Sequence, residues 1–175
     1  MLIQKLDDPS AGKKWFVVYT SSRAEKKVSR ALTELKIEHY LPLRKELRQW
    51  KDRKKWVEAV LFPSYVFVNI ADCNRYNLYS VSGFLKYVSI NGKAVVIGTS
   101  VIDSVRHLCN YSGLIEIKTN DYSIGETVLI ISGYFIGMKA QLLTKSGQSK
   151  IKIALAELSC CAIIEVDKKC VQKIL

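Results

Sequence analysis

The chain has 175 residues, of which 49% are hydrophobic and 25% are charged, values typical of a folded globular protein rather than a disordered one. Lys and Arg outnumber Asp and Glu by 27 to 16, and this net charge of +11 favours a polyanionic partner such as nucleic acid. The longest apolar run, residues 127–138, is shorter than the about 20 residues of a membrane span, so we expect no span. The N-terminus, MLIQKLDDPSAG, has no apolar h-region, so we expect no signal peptide.

The first predicted elements are a tail, a strand and a helix. Residues 1–13 are polar and are expected to form a flexible tail. Residues 15–19, WFVVY, are aromatic and β-branched, which predicts a buried strand. Ser22 and Glu25 have the spacing of a capping box, which predicts the start of a helix. One apolar helix face follows, at Val28, Ala31, Leu32 and Leu35.

A strongly basic segment comes next, at residues 44–56, and it has no apolar stripe, so we interpret it as an exposed hairpin or loop. Its cations can contact phosphates without base-specific geometry, or they can simply be solvated. Trp50 and Trp56 could stack on bases, although packing against the sheet is the favoured alternative. The basic side chains are Arg44, Lys45, Arg48, Lys51, Arg53, Lys54 and Lys55.

The remainder of the first half predicts an α+β sandwich with one helical layer. Residues 61–70, LFPSYVFVNI, form a strand with Pro63 at its start or edge, and residues 72–81 form a short helix. Asn91-Gly92 marks a hairpin between strands at 85–90 and 94–97, and a further helix begins near residue 99. A polar linker then separates this part from the last third of the chain.

The last third of the chain predicts a small all-β domain. Its glycines mark turns between short strands, and a small closed barrel would leave no exposed strand edges. The predicted strands cover residues 127–131, 140–144, 150–154, 162–166 and 171–174.

Catalytic and metal chemistry find no support in the sequence. The chain has two histidines, five cysteines in an odd and unpaired pattern, and no nucleotide-binding or nucleophile motif. We therefore expect no enzyme activity, no cofactor, no metal and a reducing cytoplasm. A small cysteine-dependent enzyme is kept as a rival interpretation.

Three segments resemble the NusG family of transcription factors, in the order that the family has them. They are KKWFVVYTSSRAEKKV, LFPSYVFV, and VLIISGYFIGMKA, which resembles the KOW motif. Gly133 and Gly137 match its turn glycines, whereas Ala140 stands where many KOW motifs carry glycine. Ser64 stands where general factors often have glycine, and the chain looks similar to RfaH-like paralogues and to antiterminators of surface-polysaccharide operons.

The resemblance implies an N-terminal NGN domain at 14–112, which is mainly an antiparallel sheet with helices, a linker at 113–122 and an SH3-like KOW barrel at 123–175. In this family an aromatic depression of the NGN domain binds the clamp helices of RNA polymerase. The matching residues here are Tyr19, Phe62, Tyr65 and Phe67. A second polymerase contact is expected at Arg75, Tyr76, Asn77 and Tyr79.

Further partners follow from the same resemblance. Arg23 and the basic segment lie on the side expected to face non-template or upstream DNA, and the KOW domain is expected to meet termination factor Rho or a ribosomal protein. We expect a cytoplasmic monomer that modulates pausing or termination, as a specialised antiterminator. A general NusG and an RNA- or ribosome-binding KOW protein are the alternatives. Residues 151–164 are ambiguous enough to allow the helical, autoinhibited form known in one specialised member.

Overall fold

The computed structural model describes residues 12–50, 52–113, 115–119, 125–133, 135–144, 148–155 and 160–173. The chain forms two compact units, one from Met1–Pro42 and Phe62–Gly98 and one from Leu43–Leu61 and Thr99–Leu175. The predicted tail lies almost wholly outside the described residues. The NGN and KOW boundaries drawn from the sequence stay a prediction.

The elements of the first unit in chain order are β1 (Lys13–Thr20), α1 (Glu25–Glu34), β2 (Glu38–Tyr40), β5 (Tyr65–Ala71), a 3-10 helix (Asp72–Ser80), β6 (Phe84–Tyr87), β7 (Ser89–Ile90), β8 (Lys93–Ala94) and β9 (Val96–Ile97). They are built on an antiparallel sheet with the strand order β2-β5-β1-β6, and β9 also pairs with β1. Strands β3 and β4 lie within Leu43–Leu61, which belongs to the second unit.

The hydrophobic core of the first unit lies between one face of this sheet and α1 with the 3-10 helix. Successive strand residues point to opposite faces, so Phe16 and Val18 of β1 share this face with Val66 and Val68 of β5. Val28 and Leu32 of α1 are fully buried against them. Leu35, predicted to continue the apolar helix face, lies beyond the last turn and is 53% exposed.

The predicted capping box is wrong. The residue before the first turn of α1 is Ala24, and no side chain caps the helix. Glu25 is instead buried, and its Oε1 accepts a hydrogen bond from the backbone N–H of Ser64 at 2.7 Å. A tertiary contact therefore replaces the local one that the spacing predicts.

The hairpin predicted at Asn91-Gly92 is confirmed. Strands β7 and β8 pair directly across it, and both turn residues have positive φ, 51° and 75°. This combination is the one that a two-residue turn of the I′ type requires. The short helix predicted at 72–81 is present as the 3-10 helix.

The second unit consists of a hairpin, a helix and a six-stranded antiparallel sheet with the order β10-β14-β13-β12-β11-β15. Its elements are β3 (Leu43–Gln49), β4 (Lys54–Val60), α2 (Thr99–Asn110), β10 (Ile115–Thr119), β11 (Glu126–Ile130), β12 (Lys139–Thr144), β13 (Gln148–Leu155), β14 (Cys160–Asp167) and β15 (Val171–Lys173). The hairpin interpretation of the basic segment is thus confirmed.

The sheet of the second unit contains all five predicted strands and one more. Residues 115–119, predicted as part of a polar linker, form β10 and pair with β14 from Ile115↔Ile164 to Thr119↔Cys160. The ambiguous stretch 151–164 is extended where the structure describes it, in β13 and β14. Closure of the sheet into a barrel stays a prediction. No described helix is both long and apolar enough to cross a membrane.

Candidate functional site

An aromatic cluster lies on the face of the first sheet that points away from α1. Tyr19 of β1 and Tyr65 of β5 are directly paired in register, and their rings meet edge to face with centroids 5.7 Å apart. Tyr40 of β2 lies opposite Phe67, and these rings are stacked with centroids 6.3 Å apart. Tyr40 was not predicted, because a three-residue strand carries too little alternation to be recognised.

The four residues predicted to bind the polymerase clamp differ sharply in exposure. Phe67 has no exposed surface and Phe62 retains 3%, whereas Tyr19 and Tyr65 are only partly buried. A side chain without accessible surface stabilises the fold but cannot itself contact a partner in this conformation. The two tyrosines are therefore the accessible part of the predicted set.

The turn before β5 sets the start of this strand at Tyr65. Ser64 has a positive φ of 65°, a conformation that disfavours residues other than glycine. Its carbonyl accepts from the backbone N–H of Thr20 at 2.9 Å, and its N–H donates to Glu25. Since α1 presents Glu25 in its first turn, the helix dipole also favours the buried carboxylate there.

The predicted second polymerase contact divides into an anchor and an exposed pair. The guanidinium of Arg75 lies 4.8 Å from the ring centroids of both Phe16 and Tyr87 and bonds Asp72 at 2.9 Å. Tyr76 and Tyr79 are 79% and 58% exposed, and their rings stack with centroids 6.2 Å apart. Asn77 is also exposed.

Arg75 and its neighbours shift the titration of two groups. The hydrogen bond from Arg75 lowers the pKa of Asp72, with Lys14 acting in the same direction. Burial raises the pKa of Tyr87 to about 12, although the charge of Arg75 opposes this shift. The Tyr87 hydroxyl donates to the carbonyl of Arg75 at 2.9 Å. Arg75 thus packs against two core rings of the first unit while part of its side chain stays exposed.

The basic hairpin has two unlike faces, because paired strand residues share a side of the ribbon. One face carries the directly opposed pairs Lys45↔Glu58, Leu47↔Trp56 and Gln49↔Lys54, all exposed. The other face is half-buried near its base, where the guanidinium of Arg44 donates to the carbonyl of Gly113.

The predicted cations are mostly exposed, and the sequence-based placement of Trp56 is wrong. Lys45, Arg48, Arg53, Lys54 and Lys55 of the hairpin are exposed, as is Arg23 of the first unit. Lys51 lies outside the described residues. Trp56, expected to pack against the sheet, is 64% exposed, and Trp50 is 46% exposed.

The predicted KOW turn has the backbone that its glycines indicate. Gly133 and Gly137 have φ of 88° and 84°, and the N–H of Gly137 donates to Ile130 at 2.8 Å. Phe135 between them is buried and contacts the ring of Tyr111, with centroids 5.3 Å apart. The turn is therefore closed by backbone hydrogen bonds, and the buried ring of Phe135 packs it against Tyr111.

The cysteines give little support to the rival enzyme interpretation. All five are present as thiols rather than in disulfides, and burial together with the neighbouring Cys161 raises the pKa of Cys160 to about 12. A thiol with so high a pKa is protonated and is a poor nucleophile at neutral pH. Within the ranges that the structure describes, no three His, Cys, Asp or Glu side chains are grouped to hold a metal ion.

Comparison with known proteins connects these features to one family. The family model described as transcription termination factor nusG matches residues 13–106. The structure of Thermotoga maritima NusG, described as a domain interaction, has 22% sequence identity and a TM-score of 0.53, and the match covers 93% of this chain and 98% of that one. A structure of the MjSpt4:Spt5 complex has 16% identity and a TM-score of 0.32, with 91% and 96% covered. No curated protein matches the sequence.

Proposed function

Because the chain belongs to the NusG family of transcription factors, we propose that it binds RNA polymerase through Tyr19 and Tyr65 and modulates pausing or termination during elongation. The observation that carries the proposal is the pairing of these two partly exposed tyrosines at the end of the central strands. Tyrosine combines a large apolar ring with a polar tip, which suits the centre of a protein interface.

Tyr40 and the two buried phenylalanines, Phe67 and Phe62, support this proposal in different ways. Tyr40 stacks on Phe67 on the same face as the two tyrosines and is itself partly exposed, so it extends the accessible aromatic surface. Phe67 and Phe62 are buried, so in this proposal they support the fold around these rings rather than contact the polymerase. A clamp helix presenting apolar side chains is the partner that such a surface suits.

The exposed pair Tyr76 and Tyr79 supports a second polymerase contact. Two stacked rings in water form a compact apolar patch, and the neighbouring amide of Asn77 supplies hydrogen-bonding groups. Arg75 holds the segment in place and is not itself a contact in our proposal.

The exposed hairpin cations support contact with non-template or upstream DNA, to which Arg23 adds a further positive charge. In this proposal the all-β region of the second unit is a KOW domain that meets Rho or a ribosomal protein. The resemblance to RfaH-like paralogues favours a specialised antiterminator over a general NusG. The positive φ of Ser64, where general factors often have glycine, agrees with a divergent member.

Co-purification with RNA polymerase tests the proposal. Tyr65→Ala and Tyr19→Ala should each weaken polymerase binding by roughly 30-fold, since a central tyrosine is often worth about 2 kcal/mol. Leu85→Ala, which removes an exposed apolar side chain of β6, is the matched control. Wild-type recovery of polymerase by both tyrosine variants would refute the assignment. Pausing and readthrough measured on a defined template then give the sign of the effect.

A further inference from the structure

The exposed face of the basic hairpin carries an apolar pair that phosphate contact does not use. Leu47 of β3 and Trp56 of β4 are directly opposed, so their side chains stand together on one face of the ribbon. Trp56 retains 64% of its surface and Leu47 retains 51%. The pair forms an apolar surface that is open to water in the middle of the hairpin.

The other face of the hairpin is the more buried one, whereas Trp56 and Lys45 line an open cavity of about 470 Å³ beside residues 109–112. Glu46, Val57 and Ala59 alternate with Leu47 and Trp56 and are half-buried, and Arg44 on their side is bonded to Gly113. A tryptophan that served only packing would stand on that face. The register places Trp56 on the opposite one.

The charge around the pair indicates what it binds. Lys54 lies two residues from Trp56 on the same face, about 7 Å along the strand, and Lys45 lies one step beyond Leu47 in the other direction. Residues 43–60 contain seven basic and three acidic residues. Along β4, Trp56 lies between Lys54 and Glu58, and Glu58 is paired with Lys45, so the positive charge beside the ring comes from Lys54 and from the excess of cations in the hairpin. An aromatic ring beside cations suits a single strand, whose bases stack on the ring while its phosphates contact the cations.

We infer that the Leu47–Trp56 face of the hairpin binds single-stranded DNA by stacking Trp56 on an unpaired base. The inference rests on the proposed function, in which the hairpin cations contact DNA, and it adds a residue that distinguishes a single strand from a duplex. In a duplex the base faces are covered by their neighbours, so Trp56 gains nothing there. An acidic protein surface would use the cations but would leave the Leu47–Trp56 pair in water.

Binding of the full-length protein to an oligothymidylate of about 12 nucleotides, and to a blunt duplex of the same length, tests the inference. Trp56→Ala should weaken single-strand binding about tenfold and leave duplex binding unchanged, because stacking on one base is lost. The slope of log affinity against log salt should stay that of the wild type, because no phosphate contact is removed. Trp56→Phe should keep most of the affinity.

Two further variants separate the possible outcomes. Leu85→Ala removes an exposed apolar side chain outside the hairpin and should bind single strands like the wild type. Replacing Lys45 and Lys54 with Gln should weaken binding to both forms and flatten the salt slope. Unchanged single-strand affinity of Trp56→Ala, with the lysine variant weakened, would overturn the stacking inference while the proposed cationic contact stands.

Other results assign the face differently. If Trp56→Ala loses polymerase affinity but not single-strand affinity, the face is a protein interface and the inference is overturned. If the wild type binds neither form of DNA, the proposed cationic contact fails, and the stacking inference fails with it. Circular dichroism should show wild-type folding of Trp56→Ala, because the removed ring is mostly in water.

Discussion

The contact between Glu25 and Ser64 should set the stability of the turn that precedes Tyr65. Glu25→Ala removes the acceptor 2.7 Å from the Ser64 N–H in a site that excludes most water. A hydrogen bond to a charged group contributes about 1.5–3 kcal/mol, and the abandoned N–H costs a similar amount. Because Ser64 is itself only half-buried, we expect a loss of about 2 kcal/mol in the free energy of unfolding.

Urea unfolding followed by circular dichroism measures this loss. Glu25→Gln keeps an oxygen acceptor without the charge and should cost about 1 kcal/mol. Adding Ser64→Gly to Glu25→Ala should recover part of the lost free energy of unfolding, because glycine adopts a φ of 65° readily and does not need the Glu25 carboxylate to hold the turn. Unfolding of Glu25→Ala at the urea concentration of the wild type would refute this reasoning.

Three other perturbations have expected outcomes. Phe67→Ala should lower the free energy of unfolding by about 3–5 kcal/mol, whereas Tyr65→Ala should mainly lower polymerase affinity; equal unfolding midpoints for the two variants would contradict the burial argument. Raising the pH from 10 to 12 should lower the free energy of unfolding of the wild type, because Tyr87 loses its proton more readily in the unfolded chain than in the folded one. The free energy of unfolding of Tyr87→Phe, measured over the same pH range, should lack this contribution. Replacing four exposed hairpin cations with Gln should flatten the slope of log affinity against log salt for binding to a reconstituted elongation complex. Thermal stability should stay unchanged and serves as the control. An unchanged salt slope would count against DNA contact. The four are Arg48, Arg53, Lys54 and Lys55.

Strands and turns were predictable from the sequence where local chemistry decides them. The β-branched and aromatic runs at β1 and β5 suit an extended buried chain whatever lies around them. Asn91-Gly92 and Gly133 specify positive φ by themselves. Tyr19 and Tyr65 could be assigned to one face because alternation fixes the side of each residue.

Features that depend on distant partners were not predictable. Glu25 has the spacing of a local cap, and only the folded turn at Ser64 draws it inward. Residues 115–119, IEIKT, alternate apolar and polar side chains, but the polar residues on both sides favoured a linker, and the pairing with β14 is what makes this segment a strand. Phe67 is more buried than a contact residue would be, and Trp56 is more exposed than packing against the sheet would make it, because an aromatic residue in a strand gives no sign of which face is covered.

Arg75 separates what holds the 3-10 helix from what the helix presents. Its guanidinium lies against the rings of Phe16 and Tyr87, so core side chains fix the placement of the segment. Tyr79 adds to this anchor, because its ring packs edge to face on Phe84 with centroids 4.9 Å apart, whereas Tyr76 is 79% exposed. Substitution of Tyr76 therefore costs the fold little, and the side chain presented at this position can change while the anchor is retained.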